Sequence, residues 1–222
     1  MVRSGAKVPT VERTQRPYHH GDLERAAISA AVDEVAAVGI AAVSMRRIAR
    51  RAGVSHAALA YQFGDKTGIF TAVATAGFRL ATEMIAPHAD GPDGFVRGGQ
   101  AYVQFALTHP GYFEVMFRPY LYRLDNPQLI AARDAAFDLL YGSARTSLQA
   151  QHGRPVATED LIAVVLAGWS MSHGFATLAL TGNLAERLGD DPATIATRMS
   201  RAVVELGRLA AHAVDADQAQ QD

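Results

Sequence analysis

The sequence predicts an all-α fold, in which a small N-terminal three-helix unit is joined to a larger helical bundle. Three observations carry this. Alanine, the strongest helix former, occurs 42 times in 222 residues. Apolar residues return at spacings of three and four through most of the chain, the period of a helix face, while clusters of Val, Ile and Thr are few. Ser, Asp or Asn stands before many of these runs and Gly or Pro after them, which is where helices are capped and stopped. With 49% hydrophobic and 19% charged residues the chain can bury a sizeable core. It holds no cysteine, so disulfides, thiolate metal sites and thiol redox chemistry are excluded. Residues 1 to 20 lack an apolar signal core, and a reducing cytoplasm is the expected compartment.

The elements follow in order. Residues 1–20 read as a flexible basic arm, with Pro9 and Pro17 and no periodicity. Asp22 caps a first helix carrying Leu23, Ala27, Ala31, Val35 and Val38, and Gly39 ends it. Ser44 caps a short segment, Met45 to Ala52, closed by Gly53, where a left-handed backbone is cheapest. Ser55 caps another, to about Phe63. Asp65 then opens a longer helix through Ile69, Phe70, Val73, Gly77, Leu80 and Met84, stopped by Pro87. Helices are expected over 93–108, 111–118, 127–152, 158–181 and 193–213, followed by a polar tail, 214–222. The domains are therefore placed at 21–66 and 67–213.

Residues 161–181 contain no charge and are long enough to span a bilayer. The stretch also holds Gly168, Ser170, Ser172, His173, Gly174 and Thr177, and no Lys/Arg cluster flanks it to orient insertion. A helix buried on all sides in protein, with no membrane partner, is the better reading.

The net charge of −1 conceals an asymmetry. Residues 1–66 carry ten Lys/Arg against six Asp/Glu, whereas 67–222 carry eleven against sixteen. Arg46, Arg47, Arg50, Arg51 and Lys66 cluster with Asp65 as their one nearby counter-charge in sequence. A basic head on an acidic body suits nucleic acid. Inside Ser44–Phe63 the spacing is that of a helix-turn-helix: Ile48 and Leu59 bury between two short helices, Ala49 permits their close crossing, Gly53 makes the turn and Val54 fills the corner. The second short helix then presents Ser55, His56, Ala57, Tyr61 and Gln62 outward, toward a major groove.

The run Ser44-Met-Arg-Arg-Ile-Ala-Arg-Arg-Ala-Gly-Val-Ser55, continuing through Leu59, Phe63 and Lys66, resembles the DNA-binding motif of the TetR family of transcriptional repressors. The resemblance covers about residues 20 to 70. Farther along, Trp169-x-x-x-His173-Gly174 and His109-Pro110-x-Tyr-Phe are similar to the Trp-His-Gly subtype of that family's regulatory domain. Three positions depart from the pattern: Ala60 stands where the family usually has a phosphate-binding tyrosine, Gln62 replaces an aromatic or histidine, and Thr67 replaces the glutamate that commonly follows the lysine. The resemblance implies phosphate contacts from Ser44, Arg46 and Lys66, base or backbone contacts from Ser55, His56 and Ala57, and either role for Arg47. It also implies a double-stranded palindromic operator and a small-molecule effector, inducer or corepressor.

Ten of the seventeen aromatic residues fall between Phe95 and Tyr141, more than a small bundle core needs. A ligand cavity is expected from Tyr102, Phe105, Tyr112, Phe113 and Met116, together with Phe117, Phe137, Tyr141, Trp169 and His173. The effector would be small and largely apolar. Two seams suit a homodimer of four packed helices: Leu161, Val165, Gly168, Ser172, Phe175 and Ala179, and Ile195, Met199, Ala202, Leu206 and Leu209. An enzyme using His173 or His109 as base is the competing class. Gly168-Trp-Ser170 lacks the Gly-x-Ser-x-Gly form and sits mid-helix, and the eight histidines show no paired metal spacing. No catalytic residue, cofactor or metal is expected.

Overall fold

Side-chain caps set where several helices begin. The hydroxyl oxygen of Ser44 accepts from the Arg47 amide (3.4 Å) and that of Ser55 from the Ala58 amide (3.0 Å). The Asp65 carboxylate accepts from the Gly68 amide (2.8 Å), and the Asn126 side-chain oxygen from the amides of Gln128 and Leu129. A computed structural model describes residues 20–182, 191–203 and 205. The arm, the tail, and Leu206 and Leu209 lie outside them, apart from His20 at the arm's end. The described helices are α1 His20–Ala42, α2 Met45–Ala52, α3 His56–Phe63, α4 Lys66–Ile85, α5 Gly94–Thr108, α6 Pro110–Met116, α7 Pro127–His152 and α8 Thr158–Leu180. A further helix, α9, covers 192–203. Regular geometry in α1 breaks at Gly39 (φ 73°, ψ 157°), the glycine expected to end it.

One core joins the head to the body. Ala27, Ile48 and Leu59 of the first three helices, Ile69, Phe70, Val73 and Phe78 of α4, and Phe105, Val115 and Leu129 beyond it form a continuous buried cluster. α4 packs against α1, α5, α6 and α7, so the boundary expected at 66/67 falls on a continuous helix. Two glycines set close approaches. A Cβ at Gly111 of α6 would meet the Val32 carbonyl oxygen of α1 at 2.5 Å, and one at Gly77 of α4 would meet Met116 Sδ at 2.6 Å. Gly77 is therefore a packing contact within a regular helix.

The arginine cluster has a counter-charge that local sequence does not reveal. Glu34 of α1 is 3% exposed and accepts from Arg47 Nε (2.6 Å) and Arg51 Nε (2.7 Å), which lie one turn apart on α2. Hydrogen bonds from the two guanidinium groups hold its carboxyl below the usual range against the opposing effect of burial. Asp65 pairs instead with Arg123, from the segment between α6 and α7. Because the folded-state pKa of Glu34 is depressed, its stabilising contribution is present above the unfolded pKa and lost as pH falls through the folded value. Glu34→Gln is expected to reduce stability at pH 7 by about 1–3 kcal/mol and to flatten the acid limb of stability against pH. Urea unfolding across that limb checks both.

Most described residues of the two expected dimer seams pack against their own chain. Leu161 and Val165 are buried beside Ala144, Leu140 and Leu148, a Cβ at Gly168 would strike the Phe95 ring at 2.5 Å, and Ser172 is buried. Phe175 packs with Ile195 and Met199 around Val103. These residues face their own chain. Of the second seam, Ala202 is exposed. α8 is apolar all round, so a repeat of three and four selects no face. Its other side exposes Ile162, Leu166 and Leu178 (40, 52 and 48%) beside Ala163, Ala167 and Ser170. Among the described residues, two helices, Lys66–His88 and Thr158–Leu180, are long and apolar enough to cross a membrane; half of the most apolar window of the first is buried within the protein, against 22% for the second.

Candidate DNA-binding face and interior cavity

α2 and α3 are held by Ile48 and Leu59, both wholly inaccessible, with Ala49 at 3%. Gly53 takes the left-handed conformation (φ 68°), and its amide and that of Val54 reach back to carbonyls of α2. This turn leaves Ser55, His56, Ala57 and Tyr61 exposed along α3, with Tyr61 at 86%, and Gln62 half-buried. Ser44 and Ser55 use an oxygen lone pair on their caps, and each hydroxyl retains its proton as a donor. Arg46 and Arg50 are exposed, whereas Arg47 is tied to Glu34 through Nε and retains its Nη groups. Lys66 Nζ donates to the Ile40 carbonyl (3.2 Å) and sits 5.3 Å from the Phe70 ring centroid. It fastens α4 to the end of α1 with two ammonium protons left over.

The body holds a cavity of about 120 Å³ between α4, α5, α6, α7, α8 and α9. Of the residues expected in its wall, Tyr102, Met116, Phe117, Phe137 and Trp169 line it. Phe105, Tyr112, Phe113, Tyr141 and His173 do not. Phe105 lies one turn past Tyr102, fully buried, with its ring 5.7 Å from His109. Tyr112 abuts Gly77, Phe113 backs the wall against the Phe117 ring (5.1 Å), and Tyr141 packs in the cluster formed by Leu161 and Val165. His173 stands behind Tyr102, whose hydroxyl is 2.8 Å from its Nδ1. Burial pushes the Tyr102 hydroxyl pKa up and that of His173 down, which favours the neutral form of both.

Several lining residues carry a signal that composition hid. Phe95, Gly98, Gly99 and Tyr102 recur at three and four along α5, and all line the cavity; the two glycines open one wall. Gly168, Ser172 and Met199, expected between subunits, line it as well. Among the described residues no charged side chain is in the lining. Among the described residues no group of His, Asp and Glu is placed to hold a metal.

Two family models match the chain: "Bacterial regulatory proteins, tetR family" over residues 27–73, and "Tetracyclin repressor-like, C-terminal domain" over residues 95–203. No curated protein matches. A solved structure of a protein of unknown function from Rhodococcus sp. RHA1 is 29% identical with a TM-score of 0.65, covering 85% of this chain and 96% of that one. A bacterial regulatory protein in the tetR family from Rhodococcus RHA1 has 18% identity and a TM-score of 0.63, covering 82% and 95%. The TetR family regulator PfmR from Thermus thermophilus has 19% identity and a TM-score of 0.57, covering 79% and 94%. The two models together span the helix-turn-helix and the cavity-bearing bundle, and the chain belongs to the TetR family of DNA-binding transcriptional regulators.

Proposed function

We propose that the protein is a homodimeric cytoplasmic repressor that occupies a palindromic operator and is released by a small, uncharged ligand in the body cavity. Ser44, Arg46, Arg47 and Lys66 supply phosphate contacts, and Ser55, His56, Ala57, Tyr61 and Gln62 face bases or backbone. The cavity-facing Tyr102 and Trp169, with His173 behind them, take the part that a Trp-His-Gly type of regulatory domain would give them. The exposed side of α8 supplies the seam to a second copy: Ala163, Ala167, Ser170 and Gly174 allow close approach, flanked by Ile162, Leu166 and Leu178.

The observation that carries the switch is the position of Met116. Its side chain lines the cavity and touches α4 at Gly77, and α4 begins at Lys66 beside the recognition helix. A ligand that displaces Met116 acts on a helix that reaches the DNA-binding head. Ligand and DNA must prefer different conformations, with a coupling of ~1–3 kcal/mol, or roughly 5- to 150-fold in affinity.

The test is an unbiased DNA selection with the purified protein, followed by titration of the selected operator across salt concentrations with and without ligand. Lys66→Ala is expected to weaken binding to all sequences and lower the salt slope by about 1, while His56→Ala relaxes preference at one position by about 1–3 kcal/mol. An unchanged selection profile for His56→Ala removes His56 from the readout. Ligands that saturate the cavity without altering operator affinity leave a constitutive DNA-binding protein.

A further inference from the structure

This inference deepens the reading of the cavity as the effector site and rests on it. The size, the lining and a polar anchor of the cavity together define a ligand class. At about 120 Å³ the space is comparable to the roughly 150 Å³ apolar cavities that stay dry and accept benzene. Phe78, Phe95, Phe117, Phe137 and Trp169 supply ring surface around it, suited to edge-to-face or offset contact with another ring.

Among the described residues the wall gives an anion no cationic partner. The hydroxyls of Thr82, Ser143, Ser172 and Ser200 each donate to a carbonyl of their own helix, to Phe78, Leu140, Gly168 and Ala196 respectively. They offer a ligand acceptor lone pairs and no donor. Among the described residues no Lys, Arg, Asp or Glu lines the space, so a carboxylate or an ammonium would be stripped of water without an ionic partner, at large cost.

The polar anchor is the Tyr102 hydroxyl, which is paired with His173 Nδ1 at 2.8 Å. If Tyr102 donates to the imidazole, its oxygen keeps both lone pairs. If the imidazole donates instead, one lone pair and the phenolic proton are left. A ligand hydroxyl serves either arrangement, because it both donates and accepts. We infer that the effector is an uncharged, single-ring aromatic compound bearing one hydroxyl, with its ring among the five aromatic side chains and its hydroxyl on Tyr102.

Trp169 is the sole tryptophan of the chain and lines the cavity, so its fluorescence reports occupancy without DNA. The experiment titrates the full-length protein with p-cresol, toluene, 4-methylbenzoate, benzyltrimethylammonium and the two-ring 1-naphthol, by Trp169 fluorescence and by calorimetry. The expected order places p-cresol first, toluene about fivefold to tenfold weaker and the two ions at least about 100-fold weaker. Tyr102→Phe, which keeps the ring, is expected to bring p-cresol down to the toluene value and to leave toluene unchanged.

Equal or tighter binding of either ion overturns the inference, as does a p-cresol to toluene ratio that survives Tyr102→Phe. So does an absence of p-cresol binding, or a preference for 1-naphthol over p-cresol. Operator titration is scored separately. If p-cresol fills the cavity but leaves DNA affinity unchanged, the ligand class stands and the switch fails. If DNA affinity responds to another ligand alone, the switch stands and the ligand class fails.

Discussion

Leu59→Ala is expected to cost about 2–5 kcal/mol of stability, the range for truncating a fully buried leucine, and to weaken operator binding more than 100-fold. The reason lies in how α3 is held. Leu59 is its one fully buried residue, with no accessible surface, while His56, Ala57 and Tyr61 project into solvent. Its removal opens a void between α2 and α3 that Ala49 and Val54 are too small to fill. Urea denaturation and operator titration measure the two effects. Tyr61→Ala is the control, because an 86% exposed side chain carries little of the fold; its stability should stay within about 0.5 kcal/mol of the parent. A Leu59→Ala protein with parental operator affinity would show that α3 is positioned by something other than this contact.

Leu166→Arg is expected to raise the dimer dissociation constant at least about 100-fold and to remove tight operator binding with it. Leu166 is 52% exposed at the middle of the apolar side of α8, with Ile162 and Ala163 one turn before it and Ser170 one turn after. In a twofold pairing through this face, each arginine meets its copy or the copy's neighbours. Juxtaposed like charges cost several kcal/mol, and the apolar packing of the leucine goes as well. Sedimentation at micromolar concentration should move from twice the 23.7 kDa chain mass to the chain mass. Since Leu166 does not belong to the buried core, the thermal transition measured at the lowest workable concentration should be little changed. A variant that remains dimeric sends the interface elsewhere.

The helix-turn-helix was legible because its determinants are local. Ser44, Gly53 and Ser55 fix the turn chemistry within twelve residues, and Ile48 and Leu59 state the packing. The Glu34 clamp was not legible, since thirteen and seventeen residues separate it from Arg47 and Arg51 and nothing in α1 alone sets its carboxylate apart from that of Asp33. Aromatic density pointed to a cavity but not to its wall. Tyr102 and Phe105 are neighbours along one helix, yet the first lines the space and the second closes the core below it. On α8 the pattern failed for a different reason: a helix apolar on every side satisfies a three-four repeat on each of them, so Leu161–Val165 and Ile162–Leu166 are equivalent until the neighbouring helices are placed.

The continuous core through α4 bears on how such regulators can be recombined. A hybrid that takes residues 1–66 from one relative and the remainder from another cuts between the side chains of Ile48 and Leu59 and those of Ile69, Phe70 and Val73, which share one buried cluster. It also separates Val32 from Gly111, two positions fitted so closely that a methyl group on the glycine would overlap a backbone oxygen. Transplanting the operator preference of this protein onto a foreign sensor therefore requires α4 and the matching surface of α6 to travel with the head. Otherwise, the graft can be repaired by substitutions at the junction chosen for volume and shape, with the DNA-facing residues of α3 left as they are.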